Sequence, residues 1–227
     1  MWNQCSPLPN KPFLYNGEWD SILNPYVLAW GVKVGTNSPI FLEEYDIVWP
    51  IKAYKEIKTI SYALHFSGVL LGIEHIGSTS IHGQYSKNTI DIMVGVKSMD
   101  DFEDVQAALV EFGWVGKFGN KHTMRNNKWG FLSKNVGKQA YSLFITVHEG
   151  PQWELKLAFR DYMRAHPEEV KKLSKIKWDL KNSNCGFYHY TKGKEPFIMD
   201  VLERCGYSNE YYMETFSHIR GVIHANN

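Results

Sequence analysis

The sequence predicts an α+β fold: one small mixed β-sheet of four or five strands, flanked by helices that gather toward the C-terminal end. Three observations carry this. Residues 69–73 and 89–96 are short, almost wholly apolar runs, the pattern of strands covered on both faces. Residues 141–147, Tyr-Ser-Leu-Phe-Ile-Thr-Val, form a further strand-like run. From Pro151 onward the apolar spacing turns helical.

In chain order, residues 1–44 come first, rich in Pro, Asn, Gly and aromatics. Pro7, Pro9, Pro12, Pro25 and Pro39 exclude long helices there, while Trp2, Phe13, Tyr15, Trp19, Tyr26 and Trp30 supply apolar area. We expect an extended N-terminal arm packed on a single domain formed by residues 45–227; closing over a substrate is the alternative role for that arm. Residues 50–66 read as a helix, opened by Pro50 and stopped by Gly68. The strands 69–73 and 89–96 follow. Asp100, Asp101, Glu103 and Asp104 open a helix to about Phe112, placing acids at its positive end.

The stretch 112–148 reads as strands and turns. It holds Lys117, Lys121, Arg125, Lys128, Lys134 and Lys138 and no Asp or Glu, interleaved with Trp114, Phe118, Trp129 and Phe131. Cations among aromatics suit an RNA backbone and an unstacked base, and they equally suit a solvated face. Helices are expected over 151–166, 167–182, 190–205 and 210–218.

Composition narrows the class. With 44% hydrophobic and 22% charged residues the chain can bury a core. A net charge of +1 does not suggest a DNA-binding protein. Three widely spaced cysteines make no CxxC pair, and no apolar run reaches the roughly 18 residues of a membrane span. A soluble cytoplasmic protein is expected.

The chemistry gathers at one unit: a strand, then Gly77-Ser78-Thr79-Ser80, then a strand carrying Asp91. A glycine after a strand lets backbone N–H groups converge on an anion, neighbouring hydroxyls add donors, and a following helix N-terminus adds a favourable dipole. An acid on the adjacent strand can orient a substrate amine or hydroxyl, or hold a metal. Asp91 stands between Ile90 and Ile92, where an unpartnered carboxylate is costly. The bland alternatives are a helix cap for the hydroxyls, a structural partnership of Asp91 with His75 or with backbone donors, and ordinary packed histidines at His75 and His82. No His/Cys cluster has zinc-ligand spacing, and no resident metal is expected.

These residues resemble the GrpB family. Ile73-Glu74-His75-Ile76-Gly77-Ser78-Thr79-Ser80, Gly83, Lys87 and Ile90-Asp91-Ile92 are similar to its signature. So are the opening block Tyr45-Asp46-Ile47-Val48-Trp49-Pro50 and the helical block from Leu157 through Arg160-Asp161 to Glu168. Tyr190-Thr191, Lys194 and Phe197-Ile198 match its closing helix. The resemblance covers about residues 45–205 and implies a nucleotidyltransferase-like fold. In metal-dependent nucleotidyltransferases an Asp-x-Asp pair holds Mg²⁺; here the second position is Met93, a soft thioether with no affinity for a hard cation.

The fungal branch of this family includes arginine-containing cyclodipeptide synthases, which take aminoacyl groups from tRNA and close a diketopiperazine. That resemblance implies arginyl-tRNA and a second charged tRNA as partners. Asp91 or Glu149 would accept the proton of the attacking amine. Ser78 or Ser80 would hold the ester carbonyl or accept the acyl group, with His75 as the neighbouring base. Glu74, Gly77, Thr79, Arg160, Asp161 and Lys194 would bind substrate, with Glu74, Asp91, Glu149 or Asp161 taking the guanidinium. Lys117, Lys121, Arg125 and Lys128 would contact RNA. The alternatives are transfer of a nucleotide to a small molecule, with Mg²⁺ between Asp91 and a second acid such as Glu149, and a non-catalytic RNA- or ligand-binding module.

Overall fold

The computed structural model of the chain describes residues 40–116, 129–183 and 186–220. Helix α1 (Val48–Ala63) leads in. The Asp46 carboxylate accepts from the Val48 N–H at 2.9 Å, and Pro50 sits in the first turn, where its missing N–H leaves no intrahelical bond unmade. Trp49, Ala53, Glu56 and Ile60 recur at helical spacing and point inward.

The sheet has five strands in the order β1 (Gly72–Ile76), β2 (Thr89–Val96), β5 (Gln139–Val147), β4 (Trp129–Val136), β3 (Val115–Gly116). The central pair β2–β5 is parallel and the other pairs are antiparallel, so the sheet is mixed. Period-two alternation on β2 decides where the chemistry lies. Ile90, Ile92, Val94 and Val96 face α1 and α2 (Phe102–Leu109) and build the main core with Trp49, Ile60, Phe102 and Leu109. Asp91, Met93 and Gly95 point to the other face. There Met93 packs with Ile76, Phe131, Phe144 and Trp153, the last on α3 (Pro151–Ala165).

Helices α4 (Pro167–Asn182), α5 (Gly186–Gly193), α6 (Glu195–Arg204) and α7 (Asn209–Arg220) complete the described chain. Met163, Leu173 and Val201 join α3, α4 and α6 in a third apolar cluster, which also takes Ile81 from the loop before β2. The Asp91 face of the sheet is therefore roofed by C-terminal helices.

The α+β class, the strand β2 and the helix 167–182 stand as expected from sequence; three elements differ. The strand expected at 69–73 starts at Gly72 instead. A Cβ at Gly72 would lie 2.7 Å from the His148 ring and 2.8 Å from Trp153, so the close approach that sets the register needs glycine, while the run 69–71 feeds the core ahead of the strand. The single helix expected over 190–205 is two, because Pro196 in the first turn of α6 has no N–H to continue α5. The helix expected after Gly77 is one 3₁₀ turn, Ser78–Ser80, since Ile81 turns extended at φ −111°, ψ 116°. The anion-holding helix N-terminus anticipated there is absent from the described residues. The expected arm lies outside them up to residue 39, as do Lys117, Lys121, Arg125 and Lys128. Among the described residues no helix is long and apolar enough to cross a membrane.

Candidate active site

Gly77 turns the chain from β1 into the 3₁₀ turn at φ 69°, ψ −172°, a combination open essentially to glycine alone. It is also pressed against Asp91: a Cβ there would lie 2.9 Å from Asp91 Cβ and Cγ and would overlap the carboxylate. The turn is tied to itself, with the Ser80 hydroxyl donating to the Gly77 carbonyl at 2.7 Å and the Ser80 N–H to the same oxygen at 3.2 Å. Thr79 is buried, and its hydroxyl shares a 3.0 Å hydrogen bond with His75 Nε2. Ser78 is half-buried and accepts from Lys177 Nζ at 2.7 Å; Lys177 also donates to the Tyr85 carbonyl at 2.7 Å.

Asp91 lies in a parallel register with Ser142, whose hydroxyl donates to its carboxylate. The other groups that act on it are cations. Lys87 comes from the loop before β2, Lys156 from α3, Lys177 from α4 and Lys194 from the first residue before α6; each is coupled electrostatically to Asp91. Burial raises Asp91 to about 6 although the lysines oppose it. Burial likewise lowers Lys87 to about 7 and Lys156 and Lys194 to about 8, and holds Lys177 well below the ordinary lysine range. With the lysines protonated, four positive charges face one negative. Such an excess is expensive in a low-dielectric interior unless an anion joins it.

Beside the turn stands a clamp. The Arg160 guanidinium, on α3, donates to Glu74 at 2.6 Å, to both Asp161 oxygens at 2.7 and 3.1 Å, and to the His75 carbonyl at 3.1 Å. Arg164, one turn on, donates to the Ser80 carbonyl at 2.9 Å. Both arginines fasten α3 to β1 and the turn.

A two-acid cation site does not fit these residues. Met93 takes the second acid position and is wholly buried in the apolar cluster, Phe144 stands opposite it on β5, and Ser142 stands opposite Asp91. Lysines supply the positive charge that a divalent cation would bring, and they would repel one. Among the described residues no group of three His, Cys, Asp or Glu side chains is placed to hold a metal.

The model of the family described as GrpB protein matches residues 39–204. The chain belongs to the GrpB family. A UPF0157 protein of Pseudomonas aeruginosa is 29% identical over 179 residues, covering 78% of this chain and 72% of that one. A UPF0157 protein of Bacillus subtilis is 29% identical over 141 residues, covering 62% of this chain, which spans only 40% of that relative's length. The crystal structure of GrpB from Enterococcus faecalis superposes with a TM-score of 0.62 at 23% identity, covering 72% of this chain and 96% of that one. The GrpB fold is thereby shown.

Within this GrpB chain the structure brings together Gly77, Ser78, Asp91 and Lys194 of the residues singled out from sequence. It separates others. His75 pairs with Ile92 on β2, so its ring leaves the face that Asp91 uses; it bonds Thr79, and burial with Arg164 and Arg160 lowers it to about 4. It is no base for Ser78 or Ser80. Ser80 spends its hydroxyl on the Gly77 carbonyl. Glu149 is exposed in the turn beyond the end of β5, seven residues past Ser142. It lines a separate groove with Trp153, Glu154 and Tyr207, so it completes no site with Asp91. Glu74 and Asp161 already hold the Arg160 guanidinium.

Lys87, Lys156 and Lys177 were missed as site residues. Lys177 had a signal: it falls on the inward stripe of α4 with Val170, Leu173 and Ser174, where a lysine needs a partner. Lys156 had a similar one, falling on the inward stripe of α3 with Gln152, Trp153, Arg160 and Met163, but only the fold shows that it faces Asp91.

Proposed function

We propose that this GrpB chain is an acyl transferase that draws aminoacyl groups from charged tRNA and closes an arginine-containing cyclodipeptide. One observation supports it above the rest: a single carboxylate, Asp91, ringed by four lysines, with Met93 where a second acid would stand. Lysines converging from four segments suit the phosphates of an RNA acceptor end. An aminoacyl ester is already activated, so its transfer needs positioning and a proton acceptor rather than a metal.

Asp91 supplies the acceptor. Above about pH 6 it is ionised and takes the proton from the α-amine of one aminoacyl group as that amine attacks the ester carbonyl of the other. The carbonyl C–O bond breaks, and the tRNA 3′-oxygen leaves and is protonated. A second attack of the same kind closes the ring and releases the other tRNA. The arginine in the product rests on the resemblance to the fungal branch. Glu74, part-exposed beside the turn, is the carboxylate assigned to its guanidinium, through the oxygen that Arg160 does not contact.

The experiment is incubation of the purified chain with arginyl-tRNA and a second charged tRNA in EDTA, with products read by mass spectrometry. A cyclic dipeptide containing arginine is expected. Pyrophosphate release from a nucleoside triphosphate that requires Mg²⁺, with no dipeptide, would replace this reading with nucleotide transfer. Ligand binding without turnover, unchanged in Asp91→Asn, would reduce the chain to a binding module.

A further inference from the structure

The 3₁₀ turn holds a pair of groups that proton transfer by Asp91 leaves unused. Ser78 Oγ and Lys177 Nζ are 2.7 Å apart. The amine is oriented by a third group, the Tyr85 carbonyl at 2.7 Å. That carbonyl is itself held: the Tyr85 N–H and the Gln84 amide both donate to Ser174 Oγ on α4, at 3.4 and 2.8 Å. Lys177 is 3% exposed, whereas Ser78 keeps an open side. A buried amine fixed by a carbonyl and touching a reachable hydroxyl has the geometry of an activated nucleophile.

We propose that Ser78 and Lys177 form a nucleophile–base pair and that the acyl group passes through an ester on Ser78 Oγ. This deepens the acyl-transfer reading above and names its chemical route. Burial and the neighbouring Lys194 and Lys87 hold Lys177 below the ordinary lysine range, which leaves a share of it neutral and able to accept a proton.

In the first step the hydroxyl proton moves from Ser78 Oγ to the neutral Lys177 amine while Oγ bonds to the ester carbonyl carbon. The carbonyl bond to the tRNA 3′-oxygen breaks, and that oxygen takes the proton from Lys177. In the second, the α-amine of the other aminoacyl group attacks the Ser78 ester. Its proton goes to Asp91, which releases it to solvent, and Ser78 Oγ leaves and takes a proton from solvent. His75 takes no part, being turned to the other face and bonded to Thr79.

The test uses a fluorophosphonate probe, which phosphonylates an activated serine with loss of fluoride and needs no tRNA. Intact mass and peptide mapping on the full chain should show one adduct, on Ser78, forming faster as pH rises. Lys177→Arg, which keeps the charge and cannot serve as base, should slow labelling by about 10²-fold, with circular dichroism reporting whether the variant folds. Should it not fold, the site of labelling and its pH profile in the unaltered chain decide the matter. An adduct elsewhere, no adduct, or full-rate labelling of folded Lys177→Arg overturns the pair. Cyclodipeptide formed by Ser78→Ala at the unaltered rate also overturns it while leaving the acyl-transfer reading in place. Labelling of Ser78 in a chain that makes no cyclodipeptide supports the pair and removes the tRNA reading instead.

Discussion

Gly77→Ala tests the contact between the turn and Asp91, and Gly83→Ala is its built-in control. Both glycines have positive φ, 69° and 75°, so both substitutions strain the backbone. For a non-glycine residue that strain is on the order of 1–3 kcal/mol. The surroundings differ. Among the described residues nothing lies within 4 Å of a Cβ at Gly83, whereas one at Gly77 lies 2.9 Å from Asp91 Cβ and Cγ and overlaps the carboxylate. Ordinary carbon contacts begin near about 3.5 Å, so Asp91 must shift by roughly half an ångström or more. Displacements of about 1 Å in a catalytic group cost on the order of 10²-fold in rate. Urea unfolding should show a loss for both variants, the larger in Gly77→Ala. Product formation, followed by mass spectrometry, should fall by about 10²-fold in Gly77→Ala alone. Equal turnover by the two would refute the claim that this glycine exists to seat Asp91.

Four further outcomes are expected. Lys156 titrates at about 8 in the fold and at its ordinary 10.5 when unfolded, so the unfolded chain binds more protons between these values and stability rises with pH across that window. Lys156→Met, resting on Phe144 and Phe216, should therefore stabilise the free protein at pH 7 by on the order of 1–2 kcal/mol by thermal melt. The gain should shrink toward pH 10, while anion affinity falls at every pH. Asp91 has the opposite sign: its raised value contributes stability that is full below about pH 4 and lost by about 6, and Asp91→Asn should abolish that slope. Arg160→Lys cannot reach Glu74, Asp161 and the His75 carbonyl together, and should lower stability by about 2–3 kcal/mol in urea. Glu149→Gln should leave turnover unchanged, because Glu149 lies beyond the far end of β5.

Legibility from sequence tracked whether a feature was local. Strand β2 could be read to its last residue because 89–96 is a continuous apolar run broken only by Asp91, and that break marked the acid. Helix α4 could be read likewise, with proline opening it and apolar residues recurring at helical spacing. Strand β1 was displaced because the apolar residues 69–71 precede it, while the strand itself carries Glu74 and His75 at the sheet edge. The site divided the same way. Gly77, Ser78 and Asp91 sit within one short unit and were found. The lysine ring is assembled from positions 87, 156, 177 and 194, which only the packing of α3, α4 and α6 over the sheet brings together. His75 looked like a base by adjacency, but alternation along the strand turned it away.

The central claim is that the lysines around Asp91 form an anion site whose charge is completed by its ligand. Calorimetric titration of a short CCA-ended RNA into the protein in EDTA, repeated in buffers of different ionisation enthalpy, measures it directly. At pH 8 Lys87, Lys156 and Lys194 are partly neutral, and a bound phosphate favours their charged form, so binding should take up protons. Absence of binding, or binding with no proton uptake at pH 8, would contradict the account.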